Sequence, residues 1–127
     1  MTGESKRDQP KGVESIYRLS STQEGILFHA IQAGADQGLY HQQFTCRLSG
    51  EMDVDRLRAA WQTVLDRHPG ARALFTWEKR DNPLQVVKAR VELPFEERLD
   101  PALVAGGDAL EQWLAEDRDR GFRLDRA

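Results

Sequence analysis

Two periods divide the chain. Apolar residues recur at three- and four-residue intervals in some stretches and at every second position in others. The clearest helical run lies in Asp53–Trp77, DVDRLRAAWQTVLDRHPGARALFTW, where Val54, Leu57, Trp61, Val64 and Leu65 line one face of a 3.6-residue period. Asp53 is placed to cap the N-terminus of that helix, and Arg67 and His68 complement its C-terminal dipole. Pro69-Gly70 predicts the stop, after which Leu74, Phe75 and Trp77 predict a short strand.

The rest of the chain is arranged on either side of this stretch. Met1–Ser15 is polar, contains Gly and Pro and has neither period, which predicts a flexible lead-in or linker, with the domain occupying 16–127. Ile16–Leu19 predicts a short strand. In SSTQEGILFHAIQAG, Ser20 with Gln23, or Ser21 with Glu24, has capping-box spacing; Leu27, Ala30 and Ile31 share a face, and Gly34 is a natural stop. In HQQFTCRLSG, Phe44, Cys46 and Leu48 alternate with polar residues, predicting a strand that buries that face. The turn residues Asp81-Asn82-Pro83 predict a hairpin over residues 71 to 90. Gly106-Gly107 and Gly121 bracket a last helix, Asp108 to Arg120, with Leu110, Trp113 and Leu114 inward. Phe122 and Leu124 then look like packing residues without obvious partners. This order predicts an α+β fold, with helices packed on a mixed or antiparallel sheet.

Composition narrows the function classes. With 127 residues the chain suits one small domain, and a net charge of -3 argues against a nucleic-acid footprint. No apolar run approaches the length of a membrane span, and the N-terminus lacks a signal-peptide core. The single cysteine, Cys46, rules out an internal disulfide, and these features together suggest the cytoplasm. His29, His41 and His68 lack metal-ligand spacing, and no phosphate loop or Gly-x-Ser-x-Gly elbow occurs. Cys46 reads as a buried structural thiol. Glu96-Glu97 and Asp117/Asp119, interspersed with Arg, read as solvated charged faces, and Trp61, Trp77 and Trp113 as core anchors. The residues alone give no catalytic set, no metal site and no bound cofactor.

Two stretches carry a family resemblance. LSSTQEGILFH (19–29) resembles the opening motif of condensation domains from nonribosomal peptide synthetases, in which a Ser-x-x-Gln helix start follows a short strand. RHPGARALF (67–75) resembles their second motif, Arg-His-Glu-x-Leu-Arg-Thr-x-Phe. LSGEMDVDRLRAAWQTVLDRHP, NPLQVV, LPFEE and EDRDRGFRL continue the likeness in the family's order. The departures are Pro69 for Glu, Ala71 for Leu, Ala73 for Thr, and Glu24-Gly25 in place of a Gln-Arg type continuation. At position 71 the missing bulk predicts about 2 kcal/mol of lost packing.

The resemblance implies part of a chloramphenicol-acetyltransferase-like lobe. It also implies amide formation between an acyl thioester donor and an aminoacyl thioester acceptor, both on phosphopantetheine arms of carrier proteins. The family's His-His-x-x-x-Asp-Gly signature is absent from this sequence. The implied site residues are therefore structural motif positions: Ser20, Gln23, Arg67, His68, Arg72 and Phe75, with Arg72 matching an arginine that pairs with the signature's Asp. The implied reading is the N-terminal part of a condensation domain, truncated before the signature and inactive alone. An alternative is a binding module that docks to carrier proteins or completes a partner synthetase chain; an unrelated α+β domain is the third. A sheet edge left open predicts self-association and marginal stability.

Overall fold

The structure, a computed structural model, describes residues 11–33, 40–78 and 81–127. The chain divides into two compact units. The first gathers the residues up to Leu19 with Asp53–Leu93 and Leu124–Ala127, and the second gathers Ser20–Met52 with Pro94–Arg123.

In the first unit, β1 (Val13–Arg18), β2 (Ala73–Thr76) and β3 (Leu84–Lys88) form a three-stranded sheet in the order β1-β3-β2. Both pairings are antiparallel, so the sheet is antiparallel rather than mixed. Val87 sits opposite Ser15 on one side and Ala73 on the other and is 1% exposed. Burying a side chain of that size contributes roughly 1.5–3 kcal/mol. The hairpin expected over residues 71 to 90 is the β2–β3 pair. Residues 79 and 80, between these strands, lie outside the described residues, as do Met1–Pro10 and the Gly34 stop.

The lead-in boundary needs correction. Val13–Ser15 belongs to β1, and Gly12 O accepts a hydrogen bond from Ala89 N at 2.9 Å. Pairing with a strand some seventy residues away supplies what the local pattern lacked. Helix α2 (Val54–Arg67) starts where expected, with Asp53 Oδ1 accepting from Arg56 N at 3.0 Å. Its stop is not abrupt: Pro69–Arg72 forms a 3₁₀ turn leading into β2. Trp61 is 53% exposed rather than a core anchor. The next residue turns inward instead: Gln62 donates to Val91 O and accepts from Leu93 N. Periodicity puts a residue on a face; how much of that face is covered depends on what packs there. Ala71 is exposed, so the missing leucine bulk leaves no cavity, contrary to expectation.

The second unit holds α1 (Ser21–Ala33), α3 (Pro101–Ala105) and α4 (Asp108–Arg120). Helix α4 matches its expected limits, with Gly121 at φ 57° closing it by a bond from its N–H to Arg118 O. Helix α3 was missed. Asp100 caps it, accepting from Ala102 N at 2.9 Å, and Pro101 opens it.

The strand expected at HQQFTCRLSG is absent from the described ladders, and of its alternating positions only Gln43 turns inward. Gln43 donates to Leu114 O and Asp117 Oδ2 on α4 and accepts from Arg118. Phe44, Cys46 and Leu48, expected inside, are exposed, Phe44 at 87%. A period of two places alternate side chains on opposite faces without saying which face is covered, and here hydrogen bonds to α4 hold Gln43 while the positions after it stay exposed. Cys46 is thus an exposed thiol, not a buried one.

Candidate functional site

The six motif residues fall in both units. In the second, Ser20 and Gln23 form the reciprocal cap of α1: Gln23 N donates to Ser20 Oγ at 3.2 Å and Ser20 N donates to Gln23 Oε1 at 2.9 Å. This selects Ser20/Gln23 over Ser21/Glu24 as the capping box and satisfies two amides at the helix start. Both side chains are engaged in the cap.

In the first unit, Arg67 ends α2 and is exposed, and His68 caps that end, its N–H donating to Val64 O at 3.1 Å. His68 O in turn accepts from Ala71 N, which tightens the chain into the 3₁₀ turn. Phe75 lies in β2 opposite Gln85, and its N–H donates to Leu124 O at 2.8 Å. That bond ties the Leu124 main chain to β2, and the Leu124 side chain is half-buried.

Arg72 is the exceptional group. It ends the 3₁₀ turn, is 3% exposed, and is the buried charged residue among those described. Its Nε donates to Leu65 O at 3.1 Å and its Nη2 to Asp66 O at 3.3 Å, two carbonyls left over at the C-terminus of α2. Its Nη1 donates to Lys88 O at the end of β3 and to Glu14 Oε2 at 2.6 Å. The guanidinium thus ties α2, β3 and β1 together. A flat fork with five donors suits this task, where a lysine would supply a single point charge. The signature's Asp is absent from this sequence, and Glu14 and three carbonyls engage Arg72 instead. Sequence reading missed Glu14, which it assigned to the lead-in. A buried arginine calls for a carboxylate, but nothing local singles out this one among 21 acidic residues.

The second unit also has an open cavity of about 220 Å³ lined by Leu103, Val104, Leu110 and Trp113, with Glu96 and Arg98 at its polar side. Arg98 pairs with Glu96 at 2.6 Å and stacks 5.8 Å from the Trp113 ring, so the polar side is charge-neutral. The histidines of this unit pack against aromatic rings, His29 on Phe28 and His41 on Phe122. No cluster among the described residues could hold a metal ion. No described helix is long and apolar enough to cross a membrane.

Comparison with known proteins agrees with the motif order. The profile of the condensation domain family matches residues 13–127. A linear gramicidin synthase subunit of Brevibacillus parabrevis is 40% identical over 119 residues, covering 90% of this chain and 2% of the synthase. Surfactin synthase subunit 3 of Bacillus subtilis is 32% identical, covering 90% of this chain and 9% of that protein. Bacitracin synthase 3 of Bacillus licheniformis is 36% identical, covering 88% and 2%. This chain therefore spans only 2–9% of the length of these relatives. A family profile that begins at the first residue of β1 and runs to Ala127, through both motifs in order, means that the chain belongs to the condensation domain family.

Proposed function

We propose that the chain is the N-terminal part of a condensation domain acting in nonribosomal peptide synthesis, and that it has no catalytic activity by itself. The observation that carries this reading is the family match over residues 13–127, together with similarity to synthases of gramicidin, surfactin and bacitracin. In the proposed reaction the amine of an aminoacyl thioester attacks the carbonyl carbon of a donor thioester. The C–N bond forms, the C–S bond breaks, the thiol leaves with a proton, and both substrates ride on phosphopantetheine arms of carrier proteins. Orienting two tethered substrates supplies much of the rate, and the remainder requires stabilising the developing charge. The described residues support a framework role: Ser20 and Gln23 start α1, Arg67 and His68 end α2, Phe75 anchors β2, and Arg72 braces three elements. A cytoplasmic location, and carrier proteins and the rest of a synthetase as partners, belong to the same proposal.

A second reading, a non-catalytic module that docks to a carrier or completes a partner chain, draws on the outward apolar row Phe44, Cys46 and Leu48. One experiment separates the two. The purified chain is mixed with donor- and acceptor-loaded carrier proteins, with and without a polypeptide bearing the His-His-x-x-x-Asp-Gly part of a condensation domain. The main reading expects peptidyl thioester only when that polypeptide is added. Product from this chain alone would overturn its non-catalytic status. Binding of carriers without product in either mixture would favour the docking module, and neither binding nor product would sink both.

A further inference from the structure

We infer that Glu14, a residue outside both recognised motifs, is the positioning residue for Arg72, through a carboxylate that an irregularity in β1 aims at the buried guanidinium. The inference rests on the reading of Arg72 as the bracing arginine of the second motif. Its physical support is independent of that reading. Along β1, Val13 sits opposite Lys88 and Ser15 opposite Val87, so Glu14 has no counterpart in β3. An extra residue of this kind bends the strand and re-aims its side chain. Here it brings Glu14 Oε2 to 2.6 Å from Arg72 Nη1.

The other acceptors of Arg72 are the main-chain oxygens of Leu65, Asp66 and Lys88. These dipoles fix the plane of the fork but do not neutralise it. The side chain of Asp66 is not among its ion-pair partners and accepts instead, at Oδ1, from Gln62. Among the described residues, Glu14 is the carboxylate within ion-pair distance of Arg72. A guanidinium that is 3% exposed is costly to bury without such a partner, so the carboxylate selects this orientation over others that keep some of the carbonyl bonds. The named acceptors take both Nη1 hydrogens, the Nε hydrogen and one Nη2 hydrogen.

The test reads the guanidinium itself, in the whole chain labelled with nitrogen-15 arginine. In Glu14→Gln, which keeps shape and an acceptor oxygen but loses the charge, the Arg72 Nε–H is expected to exchange with water at least about tenfold faster. The amides of α2 should keep their protection, and Glu14→Asp should recover part of the lost Nε–H protection. An unchanged exchange rate in Glu14→Gln would overturn the inference, because the carbonyls alone would then hold Arg72. So would equal loss in Glu14→Gln and Glu14→Asp. If Glu14→Gln instead lost protection throughout α2, the unsubstituted chain would decide: a coupling across the Nη1···Oε2 hydrogen bond is expected, and its absence overturns the inference. Amide formation is not read here, so failure of the condensation reading would leave these spectra as expected.

Discussion

A guanidinium removed from water must be met at nearly every N–H, and Arg72 is met by main chain from several elements at once. Removing it leaves three carbonyls without their donor, while the Glu14 carboxylate, 44% exposed, stays within reach of water. Arg72→Met is therefore expected to lower the unfolding free energy by about 2–3 kcal/mol, read from urea midpoints at constant slope. Val87→Ala, at the 1%-exposed centre of the sheet, is expected to cost on the order of 2 kcal/mol. Phe44→Ala, at an 87%-exposed position, should stay within about 0.5 kcal/mol despite removing the larger side chain. If Phe44→Ala proved as costly as Val87→Ala, the outward orientation of that segment would be wrong. The exposed thiol of Cys46 gives an independent check, since a thiol reagent should titrate it in the folded chain about as readily as in denaturant.

At the scale of elements, local chemistry near helix ends accounts for most of what was legible. Ser20 and Asp53 cap α1 and α2 through bonds to Gln23 N and Arg56 N, and Ser20→Ala and Asp53→Ala are each expected to cost about 1 kcal/mol. The two losses should add, because the caps share no partner. Gly121 holds φ 57° where α4 ends, so Gly121→Ala should destabilise by roughly 1 kcal/mol, whereas Gly25→Ala inside α1, with open space around it, should stabilise. Thermal unfolding of the pair checks the sign of each. Strands behaved differently. β2 and β3 were expected from a hairpin with strong turn residues, yet β1 extends back into the presumed lead-in, and the equally periodic segment at Phe44–Leu48 forms no described ladder. A helix makes its own hydrogen bonds; a strand needs a partner, which local sequence does not name.

For the whole molecule, fully buried apolar residues are few among those described, namely Leu19, Leu27 and Val87, while Phe44, Trp61, Leu99 and Phe122 remain exposed. Apolar surface of that extent favours association. The sequence pattern places association at an open sheet edge, but Leu124 O already bonds Phe75 N beside β2, and β1 is irregular at Glu14, a feature that blunts an edge. We therefore expect sedimentation to show an average mass that rises with concentration. Phe44→Ser should reduce that rise more than Ile16→Ser on β1. The reverse ranking would return association to the sheet edge.

The sequence by itself determined the α+β class, the limits of α2 and α4, the cap at Asp53, two alternative caps for α1 of which the structure chose Ser20, the hairpin, and the family through the order of its motifs. Each of these rests on interactions within a few residues or on a pattern written linearly along the chain. Tertiary structure alone decided that Glu14 meets Arg72, that Gln62 turns inward beside an exposed Trp61, and that Gln43 rather than Phe44 faces α4. Those outcomes depend on which distant surface arrives to cover a face or neutralise a charge. A periodic pattern offers both faces, and only the partner selects one.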